Sequence, residues 1–283
     1  MTVLQVNADI PAKASVLNCM QSGYCPCPRC KVKGLIYSMM PNNKDNVLGQ
    51  RVGDSMQYSQ FENEITTTKS YLEDLKTSQT LIKGAAEVCP KGPVAFTSLF
   101  VPECVTSDVM HTVYYGPIHD DLKCMLKDKI LNQLFNNVIA DVLWPSELSS
   151  RKLRSTSDIN LYKASEWKNF ILYIAVPVLS KFLLQSQNIS ANLRKQCENV
   201  LQGISALLLL MKDTVSEVDI GKSKELLKKW FDGQKDIFPH NPYTVKAHEF
   251  THFPEQVRIH GPLQSSSCFA GENILNKISN MVT

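Results

Sequence analysis

The sequence has 283 residues, 43% apolar and 20% charged, enough for one large or two ordinary domains with buried cores; this excludes a disordered chain. Thirty basic against 27 acidic residues leave a formal charge of +3, too small to announce a nucleic-acid partner, although a local run such as "RKLRS" can still meet phosphates. The start has no basic region followed by an apolar one, so the chain is expected to be nuclear or cytoplasmic and not secreted. Nine cysteines in that setting argue for reduced thiols, with clustered ones suspected of holding metal.

Taken in order, "TVLQVNAD" alternates as a short strand ending at Asp9, and "IPAKASVLNCM" continues as a helix with Pro11 near its first turn. Residues 19–58 carry Gly, Pro and Asn punctuation and read as a Cys-rich knuckle followed by loops. Within it, Cys27 and Cys30 form C-x-x-C, the spacing at which a tight turn offers two thiolates to one zinc ion. That is half a site. Cys19, Cys25 or a distant His or Cys would have to complete it, and plain structural thiols or a redox pair are the alternatives.

A helix is expected over "FENEITTTKSYLEDLKTSQTLIKGA", ending at Gly84. From Ser107 to about residue 233 the periodicity is helical nearly throughout, broken at Gly116-Pro117, at 144–160 and around 186–193. Asp108 and His111 lie three apart at the start of this block, Asp108 as a helix cap. The apolar windows "NFILYIAVPVLSKFLL" and "GISALLLLM" read as buried helices, the first broken by Pro177 and Lys181, so no membrane span is expected. The last strong helix is expected to stop at Gly233, followed by a loop, a short helix, a loop and a final helix.

The short helix contains His248, Glu249 and His252 as H-E-x-x-H, the pattern in which two imidazoles bind zinc and the glutamate activates water. Pro254 is expected to truncate that helix, and Glu255 and His260 are the candidate third ligands, in no extended protease pattern. The simpler reading makes the two histidines helix residues satisfied by neighbours.

Several blocks, in one order, resemble the transposases of CACTA (En/Spm-like) elements and their animal relatives: "ADIPAKASVLNCMQSGYCPCPRC", "SDVMHTVYYG", "LWPSELSSRKLRSTSDINLYKASEWKNFILYIAVPVL" and "AHEFTHFPEQVRIHGPLQSSSCFAGENILNKI". The resemblance implies an α+β, mostly α chain: a partial ribonuclease-H-like (DDE) core interrupted by a large helical insertion. Residues 1–60 would be a partial strand/helix unit with the knuckle, 61–240 the insertion, and 241–283 a helical segment completing the core. Two Asp and one Glu would hold two Mg2+ or Mn2+ ions for in-line attack on DNA. By motif, Asp9 is the second Asp and Glu272 the Glu, with Asp108 and His111 as structural support; zinc at Cys27 and Cys30 rests on their spacing. The family's first catalytic Asp is expected upstream of residue 1, and Gly271 and Gln264 stand where an aromatic and an Asp belong. The expectation is therefore a truncated, catalytically inactive transposase-derived protein, with DNA and a protein partner or second copy as its partners. A nuclear zinc-knuckle interaction module is the alternative, and an H-E-x-x-H zinc peptidase the remote one.

Overall fold

A computed structural model describes residues 5–17, 26–37, 55–80, 103–145, 152–186, 189–238 and 243–269. The chain is mostly helical with few strands, as expected. The first unit has the form read from the sequence: β1 (Val6–Ala8) leads into α1 (Ile10–Val16). Asp9 caps α1 by accepting the backbone N–H of Ala12 at 2.9 Å, and Pro11 occupies the first turn, where its missing N–H costs nothing.

Two short antiparallel strands, β2 (Leu35–Tyr37) and β3 (Ser55–Gln57), pair where only loops were expected. Three-residue strands carry too little alternation to rise above the surrounding turn residues. The next helix is shorter than expected. α2 spans Thr68–Thr80 with Thr67 as its cap, whose hydroxyl accepts the N–H of Ser70 at 3.1 Å. Residues 61–67 are not helical, because Cys30 and Ile65 form a β-bridge there; the expected stop at Gly84 lies outside the described residues.

β4 (Val105–Ser107) was not expected; it ends on the first residue of the block read as helical. It pairs in parallel with β1, Ala8 opposite Ser107, so Asp9 and Asp108 both follow the ends of neighbouring strands. Among the described residues the strands form these two separate two-stranded sheets. After β4 a wide turn at Met110–Tyr114 brings the chain to α3 (Pro117–Met125). Gly116 between them is required by close approach: a Cβ there would lie 1.8 Å from the carbonyl oxygen of Thr112.

The helical block continues with α4 (Lys129–Asp141), the continuous run α5 (Ala164–Asn169), a π-helical stretch (Phe170–Ala175) and α6 (Val176–Gln185), then α7 (Ala191–Leu210) and α8 (Glu217–Ile237). The widened stretch sits immediately before α6, where Pro177 lacks the N–H a regular turn would use. The run Ala164–Gln185 is long and apolar enough to cross a bilayer by length and composition, yet 56% of its most apolar window is buried inside the protein.

α7 and α8 contribute Val200, Ile204, Leu207, Leu227, Trp230 and Phe231 to one continuous apolar core, which also takes in Phe135, Trp167, Phe170, Phe250 and Phe253. Each such side chain contributes about 1.5–3 kcal/mol by leaving water. α8 runs through Gly233 instead of stopping there. A Cβ at that position would meet the amide nitrogen of Asn199 at 2.6 Å, so the glycine lets the two helices approach closely.

α9 (Val245–Thr251) and α10 (Phe253–His260) follow. α9 ends just before Pro254, as expected, but the helical region continues. Pro254 occupies the first turn of α10, and His252 is the joint between the two helices.

Candidate metal centre

The two half-motifs meet. The thiol of Cys27 lies 3.4 Å from Nε2 of His252, the thiol of Cys30 lies 3.2 Å from Nε2 of His248, and the two Nε2 atoms are 3.1 Å apart. All four ligand atoms lie within 4.8 Å of one another, and all four residues are buried; together they could hold a metal ion. The edges of a zinc tetrahedron with Zn–N of about 2.0–2.1 Å and Zn–S of about 2.3 Å are roughly 3.3–3.8 Å, close to these separations.

Local structure explains the placement. Pro28 and Arg29 separate the two cysteines, and the turn is pinned to the neighbouring segment by the N–H of Thr66 donating to the Arg29 carbonyl (2.8 Å) and that of Lys31 to the Glu64 carbonyl (2.9 Å). On the other side Thr244 caps α9 through the N–H of Ala247. The four-residue spacing puts His248 and His252 on one face, rings 4.9 Å apart and nearly perpendicular. Phe250 packs on Trp230 and Phe253 on Phe250, at 5.2 and 5.3 Å between ring centres. The aromatics thus anchor the corner in the helical core while the histidines face the knuckle.

The electrostatics suit a cation. Burial pushes the Cys27 thiol up, but the hydrogen bond from Cys30 and the interactions with His252 and His248 outweigh it and hold the thiol well below its ordinary range. Burial lowers His252 below the usual imidazole range despite the nearby Cys27, favouring the neutral ring a metal needs. Nδ1 of His248 is buried and has no hydrogen-bond partner among the described residues, so the usual orienting contact behind a ligating imidazole is missing there. A cleft of about 360 Å³ is lined in part by Thr251 and His252.

Glu249 does not belong to this group. It is 3% exposed, forms an ion pair with Lys13 of α1, and accepts the hydroxyl of Thr112 at 3.4 Å. The other candidate ligands are also engaged elsewhere: Glu255 with Arg258, and His260 through Nε2 with the carbonyl of Glu103 at 2.7 Å. Cys19 and Cys25 lie outside the described residues, as does Glu272.

Asp108 is fully buried. Its carboxylate accepts the backbone N–H of His111 (3.0 Å), Nδ1–H of His111 (2.7 Å) and the N–H of Cys268 (2.8 Å). Burial would raise its pKa, but these bonds, led by His111, hold it below the usual carboxylate range. Asp108, braced by His111, therefore ties Cys268 to the end of β4. Asp9 serves as the cap of α1.

The sequence offered C-x-x-C and H-x-x-x-H as two incomplete sites and left their union open. Their order and spacing match the C-x-x-C…H-x-x-x-H ligand pattern of zinc sites, stretched to 218 positions between Cys30 and His248. Comparison of the chain with models of known protein families, with characterised proteins and with solved structures finds no match.

Proposed function

We propose that the chain is a transposase-derived protein in which Cys27, Cys30, His248 and His252 hold one structural Zn2+, and whose helical block binds nucleic acid or protein without strand-transfer activity. The convergence of two thiols and two imidazoles in a buried site carries the zinc part of this reading. Sulfur and imidazole nitrogen suit zinc, whereas Mg2+ and Mn2+ prefer oxygen. Four protein ligands complete a tetrahedron and leave no position for a reacting water, the mark of a structural centre. For the same reason, and because Glu249 is paired with Lys13, a zinc peptidase is disfavoured.

The transposase origin rests on the ordered motif blocks. The parallel β1–β4 pair, with Asp9 and Asp108 one residue beyond register partners, supports a ribonuclease-H-like arrangement. The inactive reading is supported by the use of both carboxylates in capping and hydrogen bonding. If the centre were active, Asp9 and Glu272 would be the ligands for Mg2+ or Mn2+.

Elemental analysis of the purified chain tests the zinc reading: one equivalent of zinc is expected, and its absence would overturn the proposal. Incubation with Mg2+ or Mn2+ and DNA bearing terminal inverted repeats is expected to give no cleavage. Robust cleavage abolished by Glu272→Ala would refute the inactive part.

A further inference from the structure

Both halves of the Cys/His cluster also grip one strand. From the cysteine side, Arg29, inside the C-x-x-C turn itself, is buried and donates through Nη2 to the carbonyl of Val105 in β4 at 2.9 Å. From the histidine side, Gln256 on α10 brackets Ser107: its Oε1 accepts the Ser107 N–H at 2.8 Å and its Nε2 donates to the Ser107 carbonyl at 2.9 Å. Glu249, one residue after His248, holds Lys13, and the Lys13 ammonium donates to the Ser107 hydroxyl at 2.8 Å.

These contacts fall on a three-residue strand whose described sheet partner is the equally short β1. A pair of such strands is not independently stable. The buried Lys13–Glu249 pair also favours one arrangement, because separating it would leave an uncompensated buried charge.

We infer that metal loading at Cys27, Cys30, His248 and His252 orders β4, and with it the Asp9 and Asp108 strand ends, through Arg29, Gln256 and the Glu249–Lys13 pair as positioning residues. The inference rests on the zinc reading above. Without the ion, four donors at contact distance lose what holds the turn to the α9–α10 corner, and the two sides that grip β4 are free to separate. With it, Arg29 and Gln256 sit on a closed frame and the strand is fixed between them. The linkage is reciprocal, so loosening β4 weakens the metal site.

Backbone amide hydrogen exchange on the full chain, with zinc and after chelation, reads this directly, with zinc content measured in the same samples. Chelation of the wild type is expected to speed exchange at residues 105–108 roughly tenfold or more while amides in the middle of α7 keep their protection. In Gln256→Met and Arg29→Met, which leave the four ligands intact, zinc stays near one equivalent when the metal is in excess, although it binds more weakly, and exchange at 105–108 becomes fast with or without it. The double variant Lys13→Met/Glu249→Leu removes the ion pair without stranding a charge, and serves if the single variants fold poorly.

Two results overturn the inference while leaving the zinc reading intact: one bound zinc with unchanged exchange at 105–108 on chelation, or full zinc-dependent protection in the variants. Loss of protection throughout α7 on chelation also overturns it, since the effect is then global. A wild type that binds no zinc fails the earlier reading and this one with it, and the zinc measurement distinguishes that case.

Discussion

The helical block and the strand-bearing end are built on different principles. Around α7 and α8 the core is continuous and apolar, with Val200, Ile204, Leu207, Leu227 and Trp230 interdigitating. Around β1 and β4 the apolar clusters are small, one made of Leu17, Tyr71, Cys104 and Val105 and the other of Cys27, Cys30, Val32 and Tyr58. There the structure is held by buried polar groups: Arg29, Lys13, Glu249, Gln256, Asp108 and the four donors. Burial of apolar surface is non-directional and tolerates small changes. A polar frame is directional and fails when one partner is lost.

The sharpest way to break this comparison is to remove the metal ligands. Cys27→Ser/Cys30→Ser is expected to abolish zinc binding and to lower thermal stability substantially, since binding energy at a structural zinc site is folding energy. Far-ultraviolet circular dichroism should still show the helices of the α7–α8 region; complete loss of helix would mean that the two ends are not separable.

Next in size is the polar frame. Glu249→Ala leaves Lys13 buried without its partner, and a loss of about 3–5 kcal/mol in urea unfolding is expected. Glu249→Leu with Lys13→Met should recover much of it. If Glu249→Ala alone proves neutral, the ion pair is not what secures this end.

The helical block buries a few polar groups of its own, among them Asn199, Ser223, Gln234 and Asp121, and Asp121 sharpens the contrast. Asp121 is buried between α3 and α8, where it accepts hydrogen bonds from Nε2 of Gln234 at 2.9 Å and Nε1 of Trp230 at 3.4 Å. Burial pushes its pKa up to about 8, only partly offset by those bonds. The folded state then keeps a proton that the unfolded chain releases near the ordinary carboxylate value. Stability is full below about pH 4 from this group and falls as pH rises through about 8, by up to a few kcal/mol. Asp121→Asn should flatten the decline when melting temperature is followed across that range. An unchanged slope would remove Asp121 as its cause.

The smallest effect belongs to the helix ends. Ser216 and Asp219 form a reciprocal capping box at the start of α8, and Ser216→Ala is expected to cost about 1 kcal/mol in chemical denaturation, with zinc content untouched. A change in zinc content would show that the two ends communicate through α8.

The same division governs how much the sequence discloses. The helices from α3 to α8 are legible because long apolar periodicity survives local exceptions, and the Gly116-Pro117 break is legible because both residues have local reasons to interrupt a helix. Gly233 misleads, since its reason is the side chain of Asn199 on another helix. β2, β3 and β4 are each three residues long, too short for a period, and β4 is fixed by Arg29 and Gln256 from distant parts of the chain. Asp9 as a strand end reads correctly; its capping of α1 is a contact three residues away that the sequence reading passed over. The metal centre is readable as two halves and unreadable as a whole: each motif is local, but nothing local says that a knuckle near residue 30 faces a helix near residue 250. Glu249 shows the converse hazard, completing a five-residue motif while its partner, Lys13, lies 236 positions away.

The 218 positions between Cys30 and His248 also set a timetable. At a synthesis rate of about 5–20 residues per second, the two cysteines are made roughly 10–45 s before their histidines. Throughout that interval Cys27 and Cys30 are neighbours in an unfinished chain, open to oxidation against each other or to capture by a passing metal. A disulfide formed between them in that interval would close the metal site before it could be built, even though both cysteines are buried once the chain has folded.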